Sequence, residues 1–306
     1  MSRSLKAHLL LLAATFVWGA TFIVIKNALA DATPLVFNAV RMVIAALLLL
    51  VIFFRQLRTV TVGAVRAGFV IGTLMWLGYE FQTAGLLYTS ASKSAFLTGV
   101  SVVLVPILLA LFWRGHVNRC TLGGVFAACV GLYLLCIPAG QRLTMAAFNR
   151  GDILTLGCAV AFAFQIIAVG RSAQHFDFAH LVTIEIVVCA VWMLISIPIA
   201  DRHAFLRLTP RMLIALAVTA VVGTVGCFIV QAWAQRFTPP THTALIFSLE
   251  PVFAGLTSYV VLGERLGSRA IAGAALILSG VLASELLGQV QKPEAEISDE
   301  LGEEAG

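Results

Sequence analysis

Four ionisable residues, Arg41, Glu80, Glu185 and Glu250, lie inside stretches of otherwise apolar sequence. A charge at the centre of a bilayer helix costs about 2.5–3.5 kcal/mol on insertion scales, so such residues are expected to face a bundle interior or a water-filled space. There they pair, exchange protons or hold a solute. Trp76 precedes Glu80 by one helical turn and Ala84 follows it by one, which puts an aromatic ring and a small residue on its face. Glu80 is therefore a candidate solute contact and a candidate for proton coupling, with a structural ion pair as the plainer role. Glu250 stands just before Pro251 and either pairs structurally or gates. Glu185, about one turn inside its span, is better explained by a structural role or by interfacial water. Arg41 is read as structural, snorkelling or paired with an acid, and Glu185 is its approximate counterpart 144 residues on.

Neutral polar residues extend this set. Gln82, Gln165 and Gln231 can hydrogen-bond a solute, while Trp18, Trp76 and Trp233 fall within spans rather than at the ends where an interfacial aromatic belt would place them. Each has an ordinary explanation in helix packing, where an interhelical hydrogen bond averages only about 0.6 kcal/mol. Together with Glu80 they are the expected lining of a substrate site, and Glu80, Gln165 and Gln231 are expected to face one central void. Lys93 and Thr241 sit at the mouths of their helices, and the lysine is read as an interfacial anchor.

The elements that must position these residues follow from composition. The 306-residue chain is 60% apolar and 11% charged, with a mean hydropathy of +0.99. One water-soluble surface cannot cover that much apolar chain, and alternating strands are absent, so the fold class is an all-α integral membrane protein. Ten transmembrane helices are predicted at residues 8–27, 34–54, 67–88, 94–113, 120–138, 152–171, 181–200, 211–235, 243–262 and 268–287. Short charged connections such as 55–58, 114–116, 201–203 and 263–265 join them, with no soluble domain between. Residues 289–306, rich in Glu and Asp, are expected to form an acidic disordered tail. Arg3, Lys6 and the apolar run that follows imitate a secretory signal, but the run is too long and Lys26 and Asn27 interrupt it. It is read as an uncleaved first span.

Several function classes are excluded on the same grounds. The net charge of +5 is spread over loops without a basic cluster, so nucleic acid is not an expected partner. No GxxxxGK[ST] loop and no HExxH occur, and Asp31, Asp152, Asp177 and Asp201 fall in connections rather than as a mid-membrane pair. Enzymatic chemistry is therefore not expected. The six cysteines are scattered without CxxC pairs or companion histidines, so neither a metal nor a cofactor is expected.

Residues 82–135 resemble residues 231–284 at a constant separation of 149, anchored by Gln82 with Gln231, Thr89 with Thr238, Gly124 with Gly273 and Gly131 with Gly280. The expected division is a first five-helix repeat over 1–140 and a second over 141–288. An odd number of spans in each half makes the two copies face opposite ways, as inverted repeats. Charge agrees with this. An N-inside arrangement puts Arg3, Lys6, Arg55, Arg58, Arg66, Arg114 and Arg119 in the cytoplasm against Lys26 and Lys93 outside, and the second half reverses the bias. Both termini are expected in the cytoplasm. Pro106 and Pro251 fall in the equivalent fourth and ninth helices, where each removes a donor and displaces the carbonyl four residues earlier, that of Val102 or Phe247. With Glu250 and Arg41 they form the expected gating or structural set.

The run Trp18-Gly19-Ala20-Thr21-Phe22 with Lys26, Pro34 and Arg41, the segment from Tyr88 to Leu97, and Leu249-Glu250-Pro251-Val252 followed by Gly263-Glu264-Arg265 resemble the drug/metabolite transporter superfamily. Within it they are similar to EamA-type permeases of ten helices and two repeats. The turn at Arg114-Gly115-His116 departs from that pattern. The resemblance implies a basket-like bundle in the inner membrane that moves small metabolites, often outward, through a cavity between its halves. The expected function is thus a secondary transporter of a small metabolite or amino-acid-like solute, working by alternating access, with proton coupling through Glu80. The alternative is a solute channel or facilitator without ion coupling.

Overall fold

The computed structural model describes residues 2–86, 88, 89, 91–113, 118–137, 140, 149–263 and 267–287. The tail after 288 and the turns at 114–117 and 264–266 lie outside them, as does the Lys93 side chain. Lipid offers no partner for backbone N–H and C=O groups, so a spanning segment must satisfy them internally. The chain does so with α-helices: α1 (Arg3–Ala28), α2 (Pro34–Ile52), α3 (Val62–Leu86), α4 (Ala91–Gly99), α5 (Ser101–Trp113), α6 (Arg119–Cys136), α7 (Arg150–Ser172), α8 (Phe178–Ala200), α9 (Pro210–Ala217), α10 (Cys227–Ala234), α11 (Pro240–Phe247), α12 (Glu250–Leu262) and α13 (Ser268–Leu287). Among the described residues nine stretches are long and apolar enough to cross a bilayer, and the shorter Ser268–Ser284 is the tenth. Polar caps set their starts. Ser2, Asn118, Asp177 and Thr209 each accept from the first turn, and Asn149 forms a capping box with Asp152.

Three of the ten spans are not continuous helices. The fourth breaks between α4 and α5 at Val100, and the ninth breaks between α11 and α12 at Ser248 and Leu249. Val100 and Leu249 are repeat counterparts at the separation of 149, so both halves break at the same place. Pro251 lies in the first turn of α12, as expected for a residue whose missing N–H is no loss there. Pro106 does not mark its break. It sits inside α5, buried, and the interruption falls at Val100, where Gly99 lets the Leu132 side chain approach within 2.8 Å of the position a Cβ would take. The eighth span runs α9, then a π-helical segment over Val218–Gly226, then α10.

Glycine contacts reveal how the halves are related. Gly124 on α6 lies against the carbonyl of Gly280 on α13, and Gly131 lies against that of Gly273. Exchanging each residue for its counterpart 149 positions away converts one contact into the other. An approximate two-fold axis through this antiparallel seam, standing across the helices, does that. The same exchange maps the packing of α1 on α12 onto that of α7 on α5. Elsewhere α3 runs parallel to α8, with Gly68 on Ile184 and Gly72 on Val188, and antiparallel to α7.

The connections are tied on both faces. On the face where α1 ends, Ala32 and Leu206 form an isolated bridge, and Arg207 N–H donates to the Asp31 carbonyl at 2.7 Å. On the same face Thr89 Oγ1 donates to Asp152 at 2.7 Å, and Asn149 Nδ2 to the Tyr88 carbonyl at 2.7 Å. On the opposite face His180 Nε2 meets the Gln56 carbonyl at 2.8 Å, and Gln174 reaches the carbonyls of Gln235 and Arg236.

Candidate functional site

Polar groups occupy the bundle at three levels. The level nearest the face that bears the N-terminus is a buried network on α7, α8 and α10. Gln165 Nε2 donates to Glu185 Oε1 at 2.7 Å, Gln231 Nε2 donates to Gln165 Oε1 and to Gln235 Oε1 at 3.2 Å each, and Gln235 Nε2 donates to the Ile166 carbonyl at 2.9 Å. None of these four side chains is more than 3% exposed. Both N–H groups of Gln231 are used, so the chain of donors is closed and ends on a carboxylate. Glu185 is thus not in contact with interfacial water. It is enclosed because α8 packs on both α2 and α3, and Gln165 supplies a hydrogen bond to its carboxyl oxygen.

The middle level gathers residues of both halves. Arg41 on α2 is 7% exposed, and its guanidinium carbon lies 5.2 Å from the ring centroid of Tyr79 on α3. Among the described residues it has no ion pair, and its Nε and Nη2 atoms are buried without hydrogen-bond partners. The expected acid partner is therefore missing: Glu185 is engaged by Gln165. Glu250 at the start of α12 stands opposite, within electrostatic range of Tyr79, Cys158 and Cys227, which belong to α3, α7 and α10. Its own backbone touches Gly19 in the middle of α1, yet it is exposed. A residue exposed at mid-depth, with four helices around it, faces a space inside the bundle. Trp18 closes one side: its Nε1 donates to the Gly223 carbonyl of the π-helical segment at 2.7 Å, and its ring lies 5.0 Å from Phe247 and 5.4 Å from Phe228.

Glu80 belongs to a third level. It adjoins Trp76 and Ser196 on the α3–α8 seam, where Trp76 Nε1 donates to Ser196 Oγ at 2.8 Å and stacks on Trp192 at 5.3 Å. Its Oε2 is buried and unpartnered. Eleven residues of α8 separate Glu185 from Ser196, about 16 Å of helix rise. The single void expected for Glu80, Gln165 and Gln231 is accordingly two places, with the glutamines joined and Glu80 apart. The helical pattern could place Glu80 on a face but could not say which neighbour met that face at what depth. Gln82 lies elsewhere again, with Nε2 3.4 Å from Thr98 Oγ1 between α3 and α4. Trp233 is at the N-terminal face, with Lys6 Nζ 5.5 Å from its ring centroid and Phe237 beside it. Sequence reasoning missed Tyr79, Gln235 and the π-helical segment. Gln235, one turn beyond Gln231 on the same face, was the one of these legible from spacing.

A helical membrane bundle whose antiparallel halves enclose a polar interior, with broken helices at equivalent positions, defines a membrane transport protein. The sequence pattern of the EamA-like transporter family matches twice, over residues 5–137 and 149–285, and the chain belongs to that family. A relative from Archaeoglobus fulgidus named an uncharacterized transporter is 35% identical over 286 residues, covering 92% of this chain and 86% of its own. Uncharacterized transporter YoaV of Bacillus subtilis is 22% identical over 279 residues, covering 90% and 95%. A solved crystal structure superposes with a TM-score of 0.78 at 15% identity over 92% of this chain and 97% of its own, a likeness of fold.

Proposed function

We propose that this chain is a secondary carrier of a small metabolite or amino-acid-like solute that works by alternating access between its two five-helix halves. The observation that supports this most is the pair of helix breaks at Val100 and Leu249, repeat counterparts of which the second adjoins Glu250. Breaks at equivalent positions let each half adopt the shape of the other, so the space opens first to one side and then to the other. The N-terminal face is the cytoplasmic face of the inner membrane on the Lys and Arg count, and export is the expected direction. Glu80 is assigned the coupling proton. Its Oε2 is buried without a partner, so protonation there relieves a charge that Ser196 and Trp76 satisfy only in part.

Purified protein in liposomes tests this. A carrier shows saturable uptake and accelerated exchange in counterflow, whereas a conductance with neither returns the channel reading. Glu80→Gln should abolish proton-driven accumulation while leaving exchange in place. Undiminished proton-driven transport in that variant removes the coupling role.

A further inference from the structure

We infer that Arg41 is the anchoring cation for a monoanionic, carboxylate-bearing solute, an assignment of substrate class that rests on the carrier reading. A buried guanidinium is ordinarily held by a carboxylate, because burying an uncompensated cation is costly and a planar fork of donors matches a carboxylate in two parallel bonds. Among the described residues Arg41 has no carboxylate partner, and its polar neighbour is the Tyr79 hydroxyl. The Nε and Nη2 atoms of Arg41, two of the donors of such a fork, are the ones without acceptors. The acids nearest by helix packing are otherwise placed, since Glu185 accepts from Gln165, and Glu250 stands on α12 without an ion pair to Arg41.

The surroundings define what fits. Tyr79 links the two residues: Arg41 packs over its ring, Glu250 is within electrostatic range of it, and Tyr79 is itself half-buried. The guanidinium itself is enclosed, and Tyr79 is the residue that links it to the space at Glu250. Trp18 and Tyr79 supply partly exposed apolar faces, and the fully buried Met42, Ala45 and Cys189 belong to the same cluster. One buried positive charge among apolar walls compensates one negative charge, so a carboxylate suits it and a phosphate dianion does not. Arg41 stands on the first half and Glu250 on the second, so an occupant touching both spans the boundary across which the halves move.

Full-length protein purified in dodecyl maltoside is titrated with acetate, butyrate, benzoate, succinate monomethyl ester and L-leucine, each against its carboxamide, and with inorganic phosphate, while thermal unfolding is followed. At least one acid should raise the unfolding midpoint at a concentration at least tenfold below that of its amide, and phosphate should have no effect. Arg41→Gln should erase this preference, and Arg41→Lys, which keeps the charge without the fork, should retain part of it. The proposal is overturned if no acid outperforms its amide, if phosphate protects as well as the acids, or if the preference survives in Arg41→Gln. The wild-type comparison decides even where Arg41→Gln fails to fold. Counterflow separates the two readings: acid preference without exchange sinks the carrier alone, and exchange of solutes without acid preference sinks the role of Arg41 alone.

Discussion

Replacing Gly131 with alanine probes the seam that relates the two halves. The new methyl group would stand 2.6 Å from the Gly273 carbonyl oxygen and 2.6 Å from Ile277 Cγ1, against an ordinary contact of 3.4 Å or more. The obstacle is backbone, so α6 and α13 must part by about 0.8 Å, an overpacking that costs about 1–3 kcal/mol. Alanine regains about 0.8–1.0 kcal/mol over glycine in a helix interior, leaving a net loss of about 0–2 kcal/mol. Gly273→Ala meets the Gly131 carbonyl at the same 2.6 Å and should cost the same. One separation of the helices makes room for both methyl groups, so the double variant should fall short of the sum by at least about 0.5 kcal/mol. Gly68→Ala, which collides with Ile184 Cβ at 2.6 Å in the α3–α8 seam, serves as the control and should add to Gly131→Ala within about 0.5 kcal/mol. Reversible unfolding in mixed micelles of dodecyl maltoside and SDS gives the free energies of the wild type and of each variant. Strict additivity of Gly131→Ala with Gly273→Ala, or stabilisation by either, refutes the crossing and with it the two-fold relation read from it.

Two further outcomes follow from the polar contacts. Gln165→Leu strands the Glu185 carboxylate and one N–H of Gln231, each at about 1–3 kcal/mol, whereas Gln165→Leu with Glu185→Leu should be less destabilised than Gln165→Leu alone. Equal losses in the single and double variants, measured by the same unfolding, would show that these bonds do not hold the network. Asp31, in the connection between α1 and α2, accepts from Thr209 Oγ1 at 2.7 Å and Arg211 Nη2 at 2.8 Å, and these bonds hold its carboxyl below the usual carboxylate range. A depressed folded value means that the contribution is complete above the unfolded pKa and is lost as pH falls through the folded one. The wild-type melting temperature should therefore drop more steeply than that of Asp31→Asn as pH is lowered from 5 to below 3, and parallel curves would exclude the effect.

Composition alone required a membrane bundle, since apolar runs of bilayer length leave helices as the economical way to satisfy the backbone. The repeat was also legible, because Gly124, Gly131, Gly273 and Gly280 recur at one separation and an odd number of spans inverts the second copy. Gln165 and Gln231 stood out as polar residues in apolar spans, and the structure joins them. Spacing could not show that Pro106 lies within α5 while the break falls at Val100, because a break is placed by what packs against the backbone, here Leu132 on Gly99. Nor could it separate Glu80 from the glutamines or leave Arg41 without an acid. Those facts depend on depth and on which helix faces which, and they are decided only when α2, α3 and α8 come together, since a helical pattern fixes a residue's face but not its partner across the seam.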